Sequence, residues 1–385
     1  MIKVLSIFGT RPEAIKMAPL VKALERHEAF ESIVCVTAQH REMLDQVLKI
    51  FDIKPDFDLD IMKNRQTLAE ITTNALTGLE KVIREVQPDI VLVHGDTTTT
   101  FVGSLAAFYN KIKVGHVEAG LRTFNKYFPH PEELNRKLTG VIADLHFAPT
   151  VNAKSNLLRE GIDEESIYIT GNTAIDALKT TVNKDFQFYS PLLQQLDYQN
   201  KRVIAVTAHR RENIGEPLQN ICEALKFIAN NHEDVEIVYA VHKNPAVREI
   251  ADQILGDCQR VHLLEPLDAE EMHNLMDRSF LVLTDSGGLQ EEAPSLGKPI
   301  LVLRNETERP EAIEFGTLKL AGTDKDNIIK LTEELLNDKA EYNKMANAVN
   351  PYGDGTASQR IIESLLYHFG ETQTRPVDFE AKVRS

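Results

Sequence analysis

The chain has little cysteine, no long apolar run and no basic block. Its 385 residues include three cysteines, Cys35, Cys222 and Cys258, which are far apart in the sequence. This usage fits reduced thiols in a cytoplasmic protein and argues against a disulfide framework or a CxxC metal site. No apolar stretch approaches the roughly 18 residues that a membrane span requires. We therefore expect neither a membrane span nor a signal peptide.

The charge balance excludes two further classes of partner. Lysine and arginine total 43 against 58 aspartates and glutamates, which gives a formal net charge of −15 at pH 7. Without a basic cluster, neither duplex nucleic acid nor an anionic membrane surface is an expected partner. The 42% of hydrophobic residues indicates a globular protein. An anionic ligand would have to be held by local groups of Arg, Lys, His and helix ends.

Apolar runs alternate with amphipathic helical patterns along the whole chain, which is typical of a parallel sheet covered on both faces. The pattern weakens between residues 180 and 200 and then restarts, so we predict an α/β protein with two doubly wound, Rossmann-like domains. The predicted strands are 4–8, 32–37, 89–94, 113–117, 145–148, 202–207, 235–241, 261–263, 280–284 and 300–302. The helices we use below are predicted at 12–26, 40–51, 67–85 and 131–143.

A run of small residues follows the predicted strand 280–284. Ser286, Gly287 and Gly288 have no bulk to keep an anion from the N–H groups of the helix that starts there. Glu292 lies one turn further on, where a carboxylate can accept hydrogen bonds from ribose hydroxyls. This layout predicts a nucleotide-diphosphate site, and an ordinary strand–helix turn with a glycine-rich cap explains the same pattern.

Polar residues also follow strands of the first half, at the sheet edge where open α/β sheets bind ligands. Lys16 lies near a positive helix end, so either a phosphate or carboxylate lies nearby or the lysine is solvated. Asp96, followed by four threonines, is either a functional acid or a helix cap. Glu118 directly follows the strand 113–117.

The helix 131–143 places Glu132, Asn135 and Arg136 on one face and turns Glu133 away by about 100°. A solvated Glu–Arg pair is the alternative interpretation of that face. In the second half, His209 and His242 each follow a predicted strand. They are either ligand-binding groups or satisfied core and loop residues.

Long blocks of the sequence resemble one family, the non-hydrolysing UDP-N-acetylglucosamine 2-epimerases of bacteria. They include FGTRPEAIKMAPL, HGDTTTT, PEELNR, TAHRREN and DSGGLQEEAPSLGKP. In order and spacing, the matching blocks cover residues 8–20, 38–48, 94–100, 115–123, 131–136, 171–178, 207–213, 285–299, 307–311 and 350–355.

The resemblance implies a glycosyltransferase-B fold with the nucleotide sugar in the interdomain cleft. It implies a first domain over 1–172, completed by a C-terminal helix at 358–370, and a UDP-binding domain over 173–357. The tail 371–385 is polar and is expected to end as a poorly ordered segment. The implied protein is a cytoplasmic homodimer that needs neither NAD nor metal.

The implied reaction interconverts UDP-GlcNAc and UDP-ManNAc by elimination of UDP and its return to a 2-acetamidoglucal intermediate. Its product supplies ManNAc for cell-surface polysaccharide. Two alternatives remain on the same fold: another enzyme, either a hydrolysing epimerase or a glycosyltransferase, and a non-catalytic nucleotide-sugar sensor. The joint presence of Asp96, Glu118, Glu132 and His209 favours the epimerase over the sensor.

The resemblance also assigns roles to individual residues. The implied catalytic carboxylates are Asp96, Glu118 and Glu132, and the groups near the diphosphate and reacting sugar are Lys16, Arg136 and His209. The implied UDP contacts are Arg11, Met272, Ser286, Gly287, Gly288 and Glu292. A second UDP-GlcNAc site, which activates such enzymes, is implied at Gln39, His40, Glu42, Arg65, Arg210 and His242. The sequence departs from the usual family pattern at Glu42, Phe128, His130, Lys243 and Met272.

Overall fold

The computed structural model describes residues 1–38, 41–63 and 66–381, without the side chains of residues 42 and 43. Contacts divide the chain into a first unit, Met1–Thr180 with Tyr352–Glu380, and a second unit that contains Thr181–Pro351. The sequence placed the corresponding boundaries at residues 172 and 357. The helix Thr173–Thr181 lies almost wholly within the first unit, because Ala177 packs into that unit's core.

The strands lie close to their predicted positions. All ten predicted strands are present with bounds shifted by at most two residues, and the described residues contain three further short strands. They are β1 Ile2–Phe8, β2 Phe30–Val36, β3 Phe57–Asp58, β4 Ile90–His94, β5 Lys113–Val117, β6 Leu145–Ala148, β7 Ile167–Ile169, β8 Arg202–Thr207, β9 Val235–Ala240, β10 Val261–Leu264, β11 Leu281–Thr284, β12 Ile300–Val302 and β13 Leu318–Leu320.

Helices connect the strands throughout both units. Those of the first unit are α1 Arg11–Arg26, α2 Arg41–Ile50, α3 Leu68–Val86, α4 Thr98–Tyr109, α5 Glu132–Ile142, α6 Val151–Arg159 and α7 Thr173–Thr181. Those that follow are α8 Pro191–Gln195, α9 Glu216–Asn231, α10 Pro245–Leu255, α11 Ala269–Arg278, α12 Gly287–Glu292, α13 Pro310–Glu314, α14 Lys325–Asn337, α15 Lys339–Ala346 and α16 Ala357–His368. Within the described ranges, no helix is long and apolar enough to cross a membrane.

The first unit is built on a parallel sheet with the strand order β3-β2-β1-β4-β5-β6-β7 among the described residues. Side chains of β1 alternate between its two faces. Val4 and Phe8 lie in the core with helices α1 and α16, whereas Leu5 and Ile7 lie in the core with α3 and α4. Both faces are therefore covered, and the strand order reverses between β1 and β4, where open sheets of this kind bind ligands.

The segment after α16 contacts β7. Phe379 is buried, and its backbone N–H donates to the carbonyl of Ile169 at 2.6 Å. Arg375 donates to the carbonyl of Ile167 at 2.8 Å and lies over the ring of Tyr168. Backbone hydrogen bonds and an aromatic side chain therefore attach residues 371–380 beside β7, and the last residues, 382–385, on which the expectation of disorder falls, lie outside the described residues.

The second unit has a parallel sheet with the order β10-β9-β8-β11-β12-β13 in the part that the structure describes. Its strand order reverses between β8 and β11, which are neighbours, so the loops after these two strands meet at one sheet edge. The predicted fold class, two doubly wound parallel α/β units, is confirmed.

Candidate active site

In the first unit, the candidate residues follow three adjacent strands. Helix α1 follows β1 and carries Lys16, Asp96 follows β4, and Glu118 follows β5. Because these strands are parallel neighbours, their carboxyl ends lie at one edge of the sheet. The structure accordingly brings Lys16 to Glu118 and Arg136 to Asp96.

Glu118 and Lys16 form the first pair. The ammonium of Lys16 donates to Oε2 of Glu118, and Nδ2 of Asn172 donates to the same oxygen at 2.7 Å. The side chains of Lys16 and Glu118 are only 14% and 9% exposed, so solvent screens this pair weakly. The position of Lys16 near a helix start is thus explained by a carboxylate beside it. Asn172 was not a candidate from its spacing in the sequence.

Asp96 and Arg136 form the second pair, through the Asp96 carboxylate and the Arg136 guanidinium. Asn135, one position earlier on α5, donates to the backbone carbonyl of Asp96 at 3.0 Å. The predicted helix face therefore contacts the loop after β4, and the solvated-pair interpretation is wrong for Arg136. Glu132, the first residue of α5, is half-buried.

Glu133, which points away from this face, contacts both the loop before α5 and Arg136. It is fully buried and accepts hydrogen bonds from the backbone N–H groups of Thr123 at 3.1 Å and Phe124 at 2.9 Å. It also lies 3.3 Å from a guanidinium nitrogen of Arg136. Glu133 thus attaches the loop before α5 to the helix and helps to hold Arg136 against Asp96.

Two buried histidines, His94 and His116, lie on the strands that precede Asp96 and Glu118. Burial lowers the pKa of His94 to about 4 and that of His116 to about 3, so both rings are neutral at pH 7. Nε2 of His94 is 3.9 Å from Oε2 of Glu118. Nε2 of His116 is 2.7 Å from the carbonyl oxygen of Gly95.

Glu13 is a residue of this region that was not a candidate from the sequence. Its Oε2 accepts from the N–H groups of Gly9 at 3.1 Å and Thr10 at 2.8 Å, and its Oε1 accepts from the hydroxyls of Thr97 at 2.7 Å and Thr100 at 3.1 Å. Burial raises the pKa of Glu13, and these hydrogen bonds oppose the shift. Glu13 joins the loop after β1 to the start of α4. The Thr10–Glu13 capping-box spacing is the signal that could have identified it.

Asp285 organises the second unit at the end of β11. It is fully buried, and its Oδ2 accepts from the backbone N–H groups of His209 and Arg210, both at 2.7 Å. Nδ2 of Asn213 donates to the same oxygen at 3.0 Å. A single carboxylate oxygen thus holds the loop that follows β8, and it brings His209 to the end of the neighbouring strand.

His209 and His242, which follow the neighbouring strands β8 and β9, lie together. Their rings stack with centroids 5.5 Å apart and an interplanar angle of 14°. Burial lowers the pKa of His209, Asp285 opposes that shift, and His242 and Arg210 add to it. His209 therefore stays neutral near pH 7 in the free protein unless an anion binds beside it.

Two guanidinium groups lie at the start of α12. A Cβ atom placed on Gly287 would be 3.5 Å from a guanidinium nitrogen of Arg309 and 3.7 Å from one of Arg210. Arginine at a glycine-lined helix start suits an anion such as a diphosphate. Arg309 was not a candidate from the sequence, although it lies within the block 307–311. The buried carboxylate of Glu291 also binds it.

The other implied nucleotide contacts lie on helices α12, α11 and α1. Ser286 is the N-cap residue of α12, and Glu292 is the last residue of that helix. Glu292 is only 8% exposed, with Oε2 3.5 Å from Nε2 of His273. Met272 is half-buried on α11, beside His273. In the first unit, Arg11 begins α1.

Part of the implied activator site lies outside the described residues. Gln39, His40 and Arg65 belong to that part, and so does the side chain of Glu42. Of the six implied residues, the structure describes the side chains of Arg210 and His242. The ring of His242 stacks on that of His209, and the guanidinium of Arg210 lies near Gly287 at the start of α12. Over the described ranges, no three His, Cys, Asp or Glu side chains are grouped so that they could hold a metal ion.

Two doubly wound parallel units, with cations at strand and helix ends, are typical of the glycosyltransferase-B class of α/β folds. A sequence profile described as UDP-N-acetylglucosamine 2-epimerase matches residues 22–366. The chain is 61% identical over 381 residues to UDP-N-acetylglucosamine 2-epimerase of Bacillus subtilis (strain 168), covering 99% of each chain. The chain belongs to this family and is an isomerase.

Solved structures agree with this assignment. The structure of S. aureus MnaA with UDP has a TM-score of 0.90 and 53% identity, and the match covers 99% of this chain and 100% of the other. UDP-GlcNAc 2-epimerase from Neisseria meningitidis, bound to UDP-GlcNAc, has a TM-score of 0.86 and 52% identity. That match covers 95% of this chain and 100% of the other.

Proposed function

We propose that this protein catalyses the reversible C2 epimerisation of UDP-GlcNAc to UDP-ManNAc. UDP is eliminated across C1–C2 to give 2-acetamidoglucal, and its return with reprotonation on the other face gives the epimer. The observation that carries the proposal is the two carboxylate–cation pairs, Glu118–Lys16 and Asp96–Arg136, after adjacent strands. Family membership identifies the substrate class.

The chemistry of C2 explains why several acids are needed. No carbonyl is attached to C2, so its proton is not acidic. Cleavage of the C1–O bond must therefore be more advanced than removal of the C2 proton in the transition state. Positive charge then develops at C1, which nearby carboxylates stabilise. One group must remove the C2 proton, and another must deliver a proton to the opposite face. We assign proton transfer to Asp96 and Glu132. Glu118 either stabilises the cation or also transfers protons.

The departing diphosphate needs cations and hydrogen-bond donors. We assign Lys16, Arg136 and His209 to the leaving group and the reacting sugar. The cradle of Ser286, Gly287 and Gly288 binds phosphate, and the two arginines near Gly287 support this because they bring positive charge to the helix start. Glu292 binds the ribose, and the uracil side is assigned to Arg11 and Met272.

Regulation and assembly follow from the family resemblance. We propose that UDP-GlcNAc is also an activator, bound at Gln39, His40, Glu42, Arg65, Arg210 and His242. We further propose a homodimer in the cytoplasm whose product supplies cell-surface polysaccharide. The three free cysteines, two of them buried, are compatible with a reducing compartment.

Proton NMR in D₂O tests the reaction directly. Purified protein is incubated with UDP-GlcNAc in the presence of EDTA and without added NAD. We expect UDP-ManNAc with deuterium at C2, because the proton removed from C2 exchanges with solvent before reprotonation. Free ManNAc with UDP would instead identify a hydrolysing epimerase, and an unchanged spectrum would contradict the proposal.

Replacing Glu292 by alanine tests the nucleotide site. We expect the dissociation constant of UDP to rise by roughly tenfold to a hundredfold, because charge-assisted hydrogen bonds to the ribose are lost. Isothermal titration calorimetry with UDP measures this. Glu314→Ala, which removes an exposed carboxylate at the end of α13, is the control and should leave the affinity unchanged. An unchanged affinity in Glu292→Ala would remove Glu292 from the ribose site.

A further inference from the structure

The two carboxylate oxygens of Asp285 have different surroundings. Oδ2 accepts three hydrogen bonds from the loop after β8, given by His209, Arg210 and Asn213. Oδ1 is buried and accepts no hydrogen bond from any described residue. A buried carboxylate oxygen without a donor is costly, so such an atom requires a particular explanation.

One group can satisfy Oδ1. Nδ1 of His209 is 3.4 Å away, and in the described part of the chain it is the only cationic or potentially cationic nitrogen within 4 Å of this carboxylate. The backbone of His209 is already fixed to Oδ2 of the same aspartate. A small rotation of the ring therefore closes an Nδ1–H hydrogen bond to Oδ1 without moving the loop.

We infer that Asp285 is the positioning residue of His209. It holds the ring with Nδ1–H toward Oδ1, leaves Nε2 to face the departing diphosphate, and stabilises the imidazolium that donates to that diphosphate. This inference rests on the proposed function for the identity of the anion. A carboxylate that orients a histidine in this way fixes its tautomer and favours its charged form.

The groups around His209 determine the direction in which its pKa shifts. Asp285 favours the imidazolium, whereas burial, the stacked ring of His242 and the guanidinium of Arg210 disfavour it. The carboxylate is therefore the one favourable neighbour among these groups. Its removal should lower the pKa of His209 further, and binding of a diphosphate should raise it.

Asp285→Asn tests the inference, because asparagine keeps the size of the side chain and one carbonyl oxygen. The amide oxygen can still accept hydrogen bonds from the loop at the position of Oδ2. The amide NH₂ group then takes the position of Oδ1 and faces Nδ1 of His209. The ring must then accept at Nδ1 and carry its proton on Nε2. We expect the variant to switch the neutral tautomer from Nδ1–H to Nε2–H and to lower the pKa of His209.

The readout is a two-bond ¹H–¹⁵N correlation spectrum of protein labelled at histidine, recorded without substrate over a pH series. The chain has 12 histidines, and the His209→Gln variant assigns the resonances of that ring. A wild-type ring in the Nε2–H form would overturn the inference. So would an Asp285→Asn variant whose His209 keeps the wild-type tautomer and pKa.

Turnover provides a second readout. We expect kcat of Asp285→Asn to fall by roughly tenfold to a hundredfold, the range known for groups that orient metal-bound histidines. The decline of kcat with rising pH should begin at a lower pH than in wild type, because the imidazolium is lost earlier. A fall in kcat with an unshifted pH profile would contradict the inference and indicate only a disturbed loop.

Asn213→Ala is the matched control. Asn213 donates to Oδ2 of Asp285 and to the carbonyl of Leu303, both at 3.0 Å, so its loss loosens the same loop without changing the charge beside Nδ1. It should lower the thermal midpoint and leave the tautomer and pH profile of His209 as in wild type. The spectra need no turnover, so an inactive wild type would refute the proposed function and leave the Asp285–His209 pair testable.

Discussion

Glu132→Gln is expected to lower turnover by roughly two to four orders of magnitude, the loss typical of a missing acid–base group. The amide keeps the size of the side chain but can neither remove nor deliver a proton. UDP affinity should stay near wild type, because the groups assigned to the nucleotide are other residues. The measurements are kcat from the rate of UDP-ManNAc formation and the UDP dissociation constant from calorimetry.

Glu85→Gln is the control for this substitution. It makes the same chemical change at an exposed position on α3 and should leave kcat and UDP affinity unchanged. Activity of Glu132→Gln close to wild type would exclude Glu132 from proton transfer. A parallel loss of UDP affinity would show that the residue acts in binding instead.

The two neighbouring acids of α5 have different environments. Glu133 is fully buried and its oxygens accept from Thr123, Phe124 and Arg136, so it is committed to holding the loop and the arginine. Glu132 is half-buried at the helix start, which leaves part of its side chain accessible to substrate. This contrast supports Glu132, rather than Glu133, as the proton-transfer group.

The order of strands and helices was predictable because each buried strand is a continuous apolar run between amphipathic helices. The runs that end at His94, Val117 and Thr207 gave strand bounds within one residue of those observed. Among the strands that were not predicted, β3 and β13 contain the charged residues Asp58 and Lys319, so neither is a continuous apolar run. Arg375 and Phe379 attach the tail through contacts with residues about 210 positions earlier, which local periodicity does not detect.

The positions of the candidate site residues were predictable where they follow a strand, and their partners from distant parts of the chain were not. Strand ends placed Asp96, Glu118 and His209 at sheet edges, because parallel strands bring their carboxyl ends together. The partners that orient them come from elsewhere in the chain: Asn172 is 54 residues from Glu118, and Asp285 is 76 residues from His209. Spacing within one segment carries no information about such pairs, so only the folded structure identifies them.

Acid should destabilise the folded protein through its buried histidines. In the unfolded chain a histidine binds a proton below its ordinary pKa of 6.5, but burial lowers the folded pKa to about 4 for His94 and about 3 for His116. Above pH 6.5 both rings are neutral in the folded and in the unfolded chain, so they do not lower the free energy of unfolding. As the pH falls from 6.5 toward 4, the unfolded chain binds protons that the folded chain does not, and the free energy of unfolding decreases. Each should remove about 3 kcal/mol from the free energy of unfolding between pH 6.5 and 4.

Urea denaturation of wild type and His116→Gln at several pH values between 4 and 7 measures this effect. Glutamine can still donate to the carbonyl of Gly95 but binds no proton, so the variant should lose stability less steeply as the pH falls. His130→Gln, at an exposed histidine in the loop before α5, is the control and should keep the wild-type slope, because it changes no buried ring. Equal slopes for wild type and His116→Gln would mean that the folded protein accommodates a protonated His116. The buried ring would then have to move to water, since no described acceptor partners its Nδ1.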